Sequence, residues 1–169
     1  MKNSHSLLIL FLSIFLITSC KDKDEVVASS SLVVGKWKVS TLKGSVIALG
    51  TTENYNEDLS AENIVYEFKS DGTFTGTSQV DFTSDNNTVV ATPINGTYVV
   101  SGSEITLNYT NPTTKKAVKE IYSVAVSGTK LTFGLTLDLL KKAYSNDPNS
   151  LAGLSLISAL NLTIEMNKQ

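Results

Sequence analysis

From residue 32 onward the chain alternates. Over residues 33–42, Val33, Gly35, Trp37, Val39 and Thr41 share one parity while Lys36 and Lys38 take the other. Period-two patterning of this kind predicts a strand with one buried and one wetted face. The same grammar recurs over 64–69 (Ile64, Tyr66, Phe68), 74–82, part of 89–100, 105–109 (Ile105, Leu107, Tyr109), 118–126 (Tyr122, Val124, Val126), 131–135 and 160–166. Turn residues separate these runs. Asp71 and Gly72 form a hairpin signal, because both tolerate positive φ, and Pro93 with Gly96 predicts a break or bulge in the fourth strand. The polar stretch 43–63 predicts a long loop after the first strand.

The period shifts between the last two strands. Leu137, Leu140 and Tyr144, then Leu151, Leu154, Ile157 and Ser158, recur at spacings of three and four. Two short amphipathic helices are expected there, broken at 145–149, with Thr136 and Ser150 as N-caps. The Leu- and Ser-rich stretch 151–160 is also compatible with a strand. Eight short strands joined mostly by tight turns suit an all-β fold with minor helix, an eight-stranded antiparallel up-and-down barrel, since closure removes exposed edges. A β-sandwich is the alternative.

The N-terminus follows different rules. Lys2 precedes an eleven-residue apolar or small run, 7–17. At about 1.5 Å per residue it would give roughly 16 Å of helix, too short for a hydrocarbon core of roughly 30 Å. A basic start, a short apolar run and a small polar end make the signal-peptide pattern, placed at 1–19. The ending Leu16, Ile17, Thr18, Ser19, Cys20 resembles a bacterial lipobox, which implies acylation of Cys20 and anchoring in membrane lipid. Residues 20–31 then form the lipidated cysteine and a flexible tether, and 32–168 the folded domain. Lys21, Asp22, Lys23, Asp24 and Glu25 resemble the surface-export signal of Bacteroidota lipoproteins, which implies the outer membrane, with orientation open.

Composition narrows the chemistry. The chain has 169 residues, enough for one domain with a core of its own. All 14 basic residues are lysine, and the sole histidine and cysteine, His5 and Cys20, fall in or at the end of the leader. The processed chain would have no arginine, no histidine and a net charge of about −3, which disfavours nucleic acid. Zinc and copper lack nitrogen and sulfur ligands, and a Ser-His-Asp triad lacks its base. For calcium, Asn54, Asn56 and Asp58 alternate as in an EF-hand loop, but Leu59 stands where glycine is needed and Val65 where the bidentate glutamate belongs. Residues 81–87 are equally incomplete. Paired carboxylates for glycoside hydrolysis could come from Glu67, Glu104 and Glu120, but Glu67 and Glu120 are expected on the solvated face opposite Tyr66, Phe68 and Tyr122.

Gly35, Lys36 and Trp37 at the head of the first strand resemble the G-x-W signature of lipocalins. With residues 68–74 and 96–107, the stretch from about 32 to 168 resembles the lipocalin-like domains of bacterial outer-membrane lipoproteins. The resemblance implies Gly35 and Trp37 as a structural barrel floor and the 43–63 loop draped over the mouth. It also implies a late arginine packed over the tryptophan, which this chain lacks, and a helix after the eighth strand, where this chain has helical sequence before it. Tyr66, Phe68, Phe74, Tyr98, Leu107, Tyr109, Tyr122, Val124 and Phe133 are the expected inward set, either lining a pocket or filling the core. The leading expectation is a non-catalytic, membrane-tethered carrier for a small apolar molecule, with no cofactor or metal. The alternatives are a surface interaction or structural lipoprotein with a filled barrel, or a carboxylate-dependent glycoside hydrolase.

Overall fold

The computed structural model describes residues 30–78 and 92–169. The leader, Cys20 and most of the tether lie outside the described residues, as do 79–82 of the third expected strand and the 81–87 stretch. A short helix α1 (Ser30–Val33) leads into β1 (Gly35–Ala48), β2 (Thr51–Asp58), β3 (Val65–Phe68), β4 (Thr73–Ser78), β5 (Thr92–Ser101), β6 (Glu104–Thr110), β7 (Ala117–Ser127) and β8 (Lys130–Thr136). Helices α2 (Leu137–Ala143) and α3 (Pro148–Leu154) then precede β9 (Ile157–Lys168). Among the described residues no helix is long and apolar enough to cross a membrane.

Strands β1, β3, β4, β5, β6, β7, β8 and β9 pair antiparallel in that order, and β9 returns to β1. The result is a closed eight-stranded barrel with one extra strand. That strand, β2, shares an edge of β1 with β3: β3 pairs with Gly35–Lys38, and β2 pairs further along, from Thr41↔Asp58 to Ala48↔Thr51. The loop expected at 43–63 is therefore mostly strand. Its sequence concealed this because β2 has only Tyr55 part-buried and otherwise exposed polar side chains, so alternation has nothing to mark. β1 itself runs past residue 42 because both its edges are occupied, by β2 and by β9. Val33, expected in the first strand, belongs to α1.

Gly44 is the position of closest approach between β1 and β9 that a side chain would block. Its φ is +132°, and a Cβ there would stand 1.9 Å from the Asn161 carbonyl oxygen of β9. Only glycine allows that approach.

The helical segment follows its caps. Thr136 accepts from the Leu139 amide, as expected of an N-cap. The second helix starts earlier than expected: Asp147, not Ser150, caps it, accepting from the amides of Asn149 and Ser150 and from the Ser150 hydroxyl. Pro148 suits the first helical position, where no amide is needed. Ile157 and Ser158 belong to β9 and not to the helix, since β9 extends to pair Ala48↔Ile157.

One end of the barrel is solid. Val33, Trp37, Phe68, Phe74, Ile105, Leu107, Leu131 and Met166 are fully buried there. Phe68 is the hub: Tyr98 meets it edge-on at 5.0 Å, Phe133 at 6.1 Å, and Phe74 lies 5.9 Å away. Aromatic pairs at these separations add about 0.5–1.5 kcal/mol each beyond area burial. The Tyr98 hydroxyl leaves the core and donates to the Lys69 carbonyl at 2.8 Å.

Candidate functional site

The opposite half of the barrel is hollow. A cavity of about 740 Å³ opens there, within the size range of small-molecule sites. Its walls come from β1 (Val39, Leu42, Val46), β2 (Glu53, Tyr55), β6 (Tyr109), β7 (Glu120, Tyr122), β8 (Leu135) and β9 (Leu160, Leu162, Ile164). Leu140 of α2, Tyr144 behind it, Asn111 and Pro112 of the β6–β7 loop, Leu59 and Ile64 between β2 and β3, and Ile157 of β9 complete the lining. Asn111 shapes its own turn by accepting from the amides of Thr113 and Thr114.

Of the expected inward set, Tyr109 and Tyr122 face this cavity. Tyr66, Phe68, Phe74, Tyr98, Leu107, Val124 and Phe133 are packed into the core cluster instead, the Tyr66 ring lying over Gly76, and Val39 and Ile64 form the boundary, belonging to the core and lining the cavity. Pocket and filled core thus occupy different halves of the same barrel. Gly35 and Trp37 lie at the closed end. The Trp37 indole is fully buried and donates to the Val33 carbonyl at 2.7 Å, joining α1 to the floor.

Glu120 overturns its expected place. It is two residues from Tyr122 and pairs with fully buried Leu107 across β6–β7, so the sheet turns it inward. The Tyr109 hydroxyl donates to its Oε1 at 2.8 Å, and the Tyr122 hydroxyl is a second hydrogen-bond partner. Burial pushes the Glu120 carboxyl above the usual glutamate range, while the two tyrosine hydrogen bonds pull it back only in part. Burial also raises Tyr66, Tyr109, Tyr122 and Tyr144, and the Glu120 charge adds to each of those rises. Glu67 remains exposed as expected, and Glu104 is paired with Lys142 of α2 at 2.5 Å.

Sequence reasoning missed Glu53, Tyr55, Leu140 and Tyr144 as cavity residues. For Glu120 the signal was present, in its shared parity with Tyr122; for Glu53 and Tyr55 it was hidden by the polar strand. The calcium-like alternation at Asn54, Asn56 and Asp58 is part of β2, and Asp58 serves its own turn by accepting from the Ser60 amide at 2.9 Å. Among the described residues no cluster of acids could hold a metal ion.

A barrel with a solid floor, a G-x-W strand start under an N-terminal helix, and a hollow upper half defines the calyx architecture. Residues 33–133 match the lipocalin-like domain, and the chain belongs to that family. Two solved structures are similar. A lipocalin-like protein from Bacteroides uniformis is 14% identical with a TM-score of 0.41, over 82% of this chain and 99% of its own. An uncharacterized protein from Bacteroides eggerthii is 11% identical with a TM-score of 0.41, over 80% of this chain and 98% of its own. No curated protein matches the sequence significantly. The lipocalin-like fold is typically one that binds and carries.

Proposed function

We propose that the protein is a membrane-tethered, non-catalytic carrier that holds a small apolar molecule in the open half of its barrel. The observation that carries this reading is the cavity of about 740 Å³, walled by valine, leucine and isoleucine from β1, β8 and β9, with polar atoms supplied by two glutamates, four tyrosines and Asn111. Apolar walls drive entry through water release, and a few fixed polar atoms orient what enters. The tether is the lipobox-like Cys20, whose acyl chains would hold the barrel at the outer membrane; the acidic stretch behind it supports display on the outer face.

The test is native mass spectrometry of the chain from Lys21 onward, after incubation with a total lipid extract. A retained small molecule that is lost when Leu135 and Leu162 are both replaced by Phe supports a carrier. A bare protein mass under all conditions overturns it. A second reading, a docking module, draws on Leu49 and Leu156, which are 77% and 54% exposed and joined by a Leu49 amide to Leu156 carbonyl bond at the mouth.

A further inference from the structure

The cavity has a charge sign. Among the described residues its ionisable carboxyls are Glu53 and Glu120, and no lysine lines it. Glu53 is engaged at the wall, where the Tyr55 hydroxyl donates to its Oε2 at 3.0 Å. Glu120 stands deeper, fixed by the β6–β7 register, with hydroxyls of Tyr109 and Tyr122 on it. Two donated hydrogen bonds leave a carboxylate with acceptor capacity to spare, since it offers about four lone-pair sites. The rings of Tyr55, Tyr109, Tyr122 and Tyr144 surround the same space. A carboxylate with aromatic faces around it, and no competing cation, is the combination that favours a positively charged guest.

Building on the carrier reading above, we propose that the cavity selects amphiphiles with a protonated amine head, for which Glu120 is the counter-ion, over carboxylates of the same chain length. The apolar tail lies against β1, β8 and β9, and the ammonium donates to the free lone pairs of Glu120. A guest carboxylate meets two like charges with no lysine to offset them, a repulsion that low dielectric strengthens. A neutral alcohol finds hydrogen bonds but no charge partner, and falls between.

The experiment compares decylamine, decanol and decanoate by titration calorimetry near neutral pH, on the chain from Lys21 onward. Every strand pairing of the barrel lies within residues 35–168, so that chain keeps the whole barrel. Decylamine is expected to bind about tenfold or more tighter than decanol, with decanoate weakest. In Glu120→Gln the amine's advantage over decanol disappears. Decanoate binding as tightly as decylamine, or an unchanged amine preference in Glu120→Gln, overturns the proposal. The ranking of the three heads on the unaltered chain decides the matter even if the variant fails to fold. Binding of the alcohol or acid without an amine preference defeats this inference alone. Failure of all three to bind defeats the carrier reading, and this one with it.

Discussion

The ammonium of Lys168 lies 5.4 Å from the centroid of the Trp37 ring, at the closed end of the barrel. Gly35 makes this possible: a Cβ there would come within 3.3 Å of the Lys168 Cε, so the missing side chain leaves the lysine stem its path across the indole. Lys168 and the residue after it are held by backbone bonds, the Lys168 amide donating to the Thr129 carbonyl and the Gln169 amide to the Lys36 carbonyl, each at 2.8 Å. Lipocalin resemblance implied an arginine over this tryptophan, and a chain without arginine places a lysine there. Strand β9 supplies the cation.

Lys168→Met keeps the apolar stem and removes the charge, so it should cost about 0.5–2 kcal/mol, the worth of a cation–π contact. Lys168→Arg should be neutral or slightly stabilising, because the guanidinium stacks as well as attracts. Trp37→Ala should cost about 3–5 kcal/mol, as for a large buried aromatic. Urea denaturation checks all three by circular dichroism. Trp37 is the only tryptophan in the sequence, so its fluorescence also reports this floor directly in the Lys168 variants.

Gly44 and Gly50 separate two kinds of glycine requirement. Both have positive φ, +132° and +77°, but a Cβ at Gly50 meets nothing within 4 Å, whereas at Gly44 it collides with backbone of β9. Gly50→Ala should therefore lose only about 1–2 kcal/mol, the conformational cost of a left-handed alanine. Gly44→Ala should lose about 3 kcal/mol or more, because strand β1 must shift away from β9 at the seam that closes the barrel. Equal losses in thermal or urea unfolding would show that the seam yields easily and that the collision is absorbed.

How far the sequence revealed this molecule depended on burial contrast. Strands that bury one face, such as β6 with Ile105 and Leu107, announced themselves by alternation, and their partners could be placed from turn residues alone. β2 buries almost nothing, so its pairing to β1 was illegible, and with it the Glu53 and Tyr55 wall of the cavity. The division of the aromatic set was also out of reach. Parity says that Phe68 and Tyr109 both face inward, but height along the barrel, which decides core or cavity, is fixed by register and strand tilt. Glu120 was legible and misplaced: the expectation set it on the face opposite Tyr122, whereas residues 120 and 122 share one parity. A half-buried carboxyl that breaks the pattern marks a candidate site.

Glu120 should leave a signature in the pH dependence of stability. Its folded-state pKa is raised by burial, so between the ordinary glutamate value and the raised one the folded chain holds a proton that the unfolded chain has released. The stability this group contributes is fully present below the ordinary value, declines as pH rises through the window, and levels off above the folded-state value. Asp58, Asp71, Asp147 and Glu165 shift downward through hydrogen bonds, chiefly from Ser60, Thr73, Ser150 and Thr41 respectively. Their contributions run the opposite way, present above the ordinary carboxylate range and lost as pH falls. Those four are common to the parent and to Glu120→Gln, and they cancel in the difference. The stability of Glu120→Gln relative to the parent should therefore rise with pH from the ordinary glutamate value up to the raised folded-state value, with a slope no steeper than about 1.4 kcal/mol per unit. A difference that stays flat across that range would mean that Glu120 titrates alike in the folded and unfolded chains.

The anchoring proposed at Cys20 is testable separately from the role proposed for the barrel. Each buried methylene contributes about 0.8 kcal/mol, and one acyl chain alone holds a protein only reversibly, so durable attachment needs more than one chain on the cysteine. The processed protein should partition into the detergent phase and show the mass of the chain from Cys20 plus acyl groups. Cys20→Ala removes the acceptor, and with it the acyl mass, the cleavage before residue 20 and the detergent partition of the processed form. The variant should accumulate as a precursor that still carries residues 1–19, or be released unanchored, with a barrel that unfolds at the same urea concentration as the parent. Detergent partition of a Cys20→Ala protein already shortened to the parent's polypeptide length would locate the membrane attachment elsewhere in the chain.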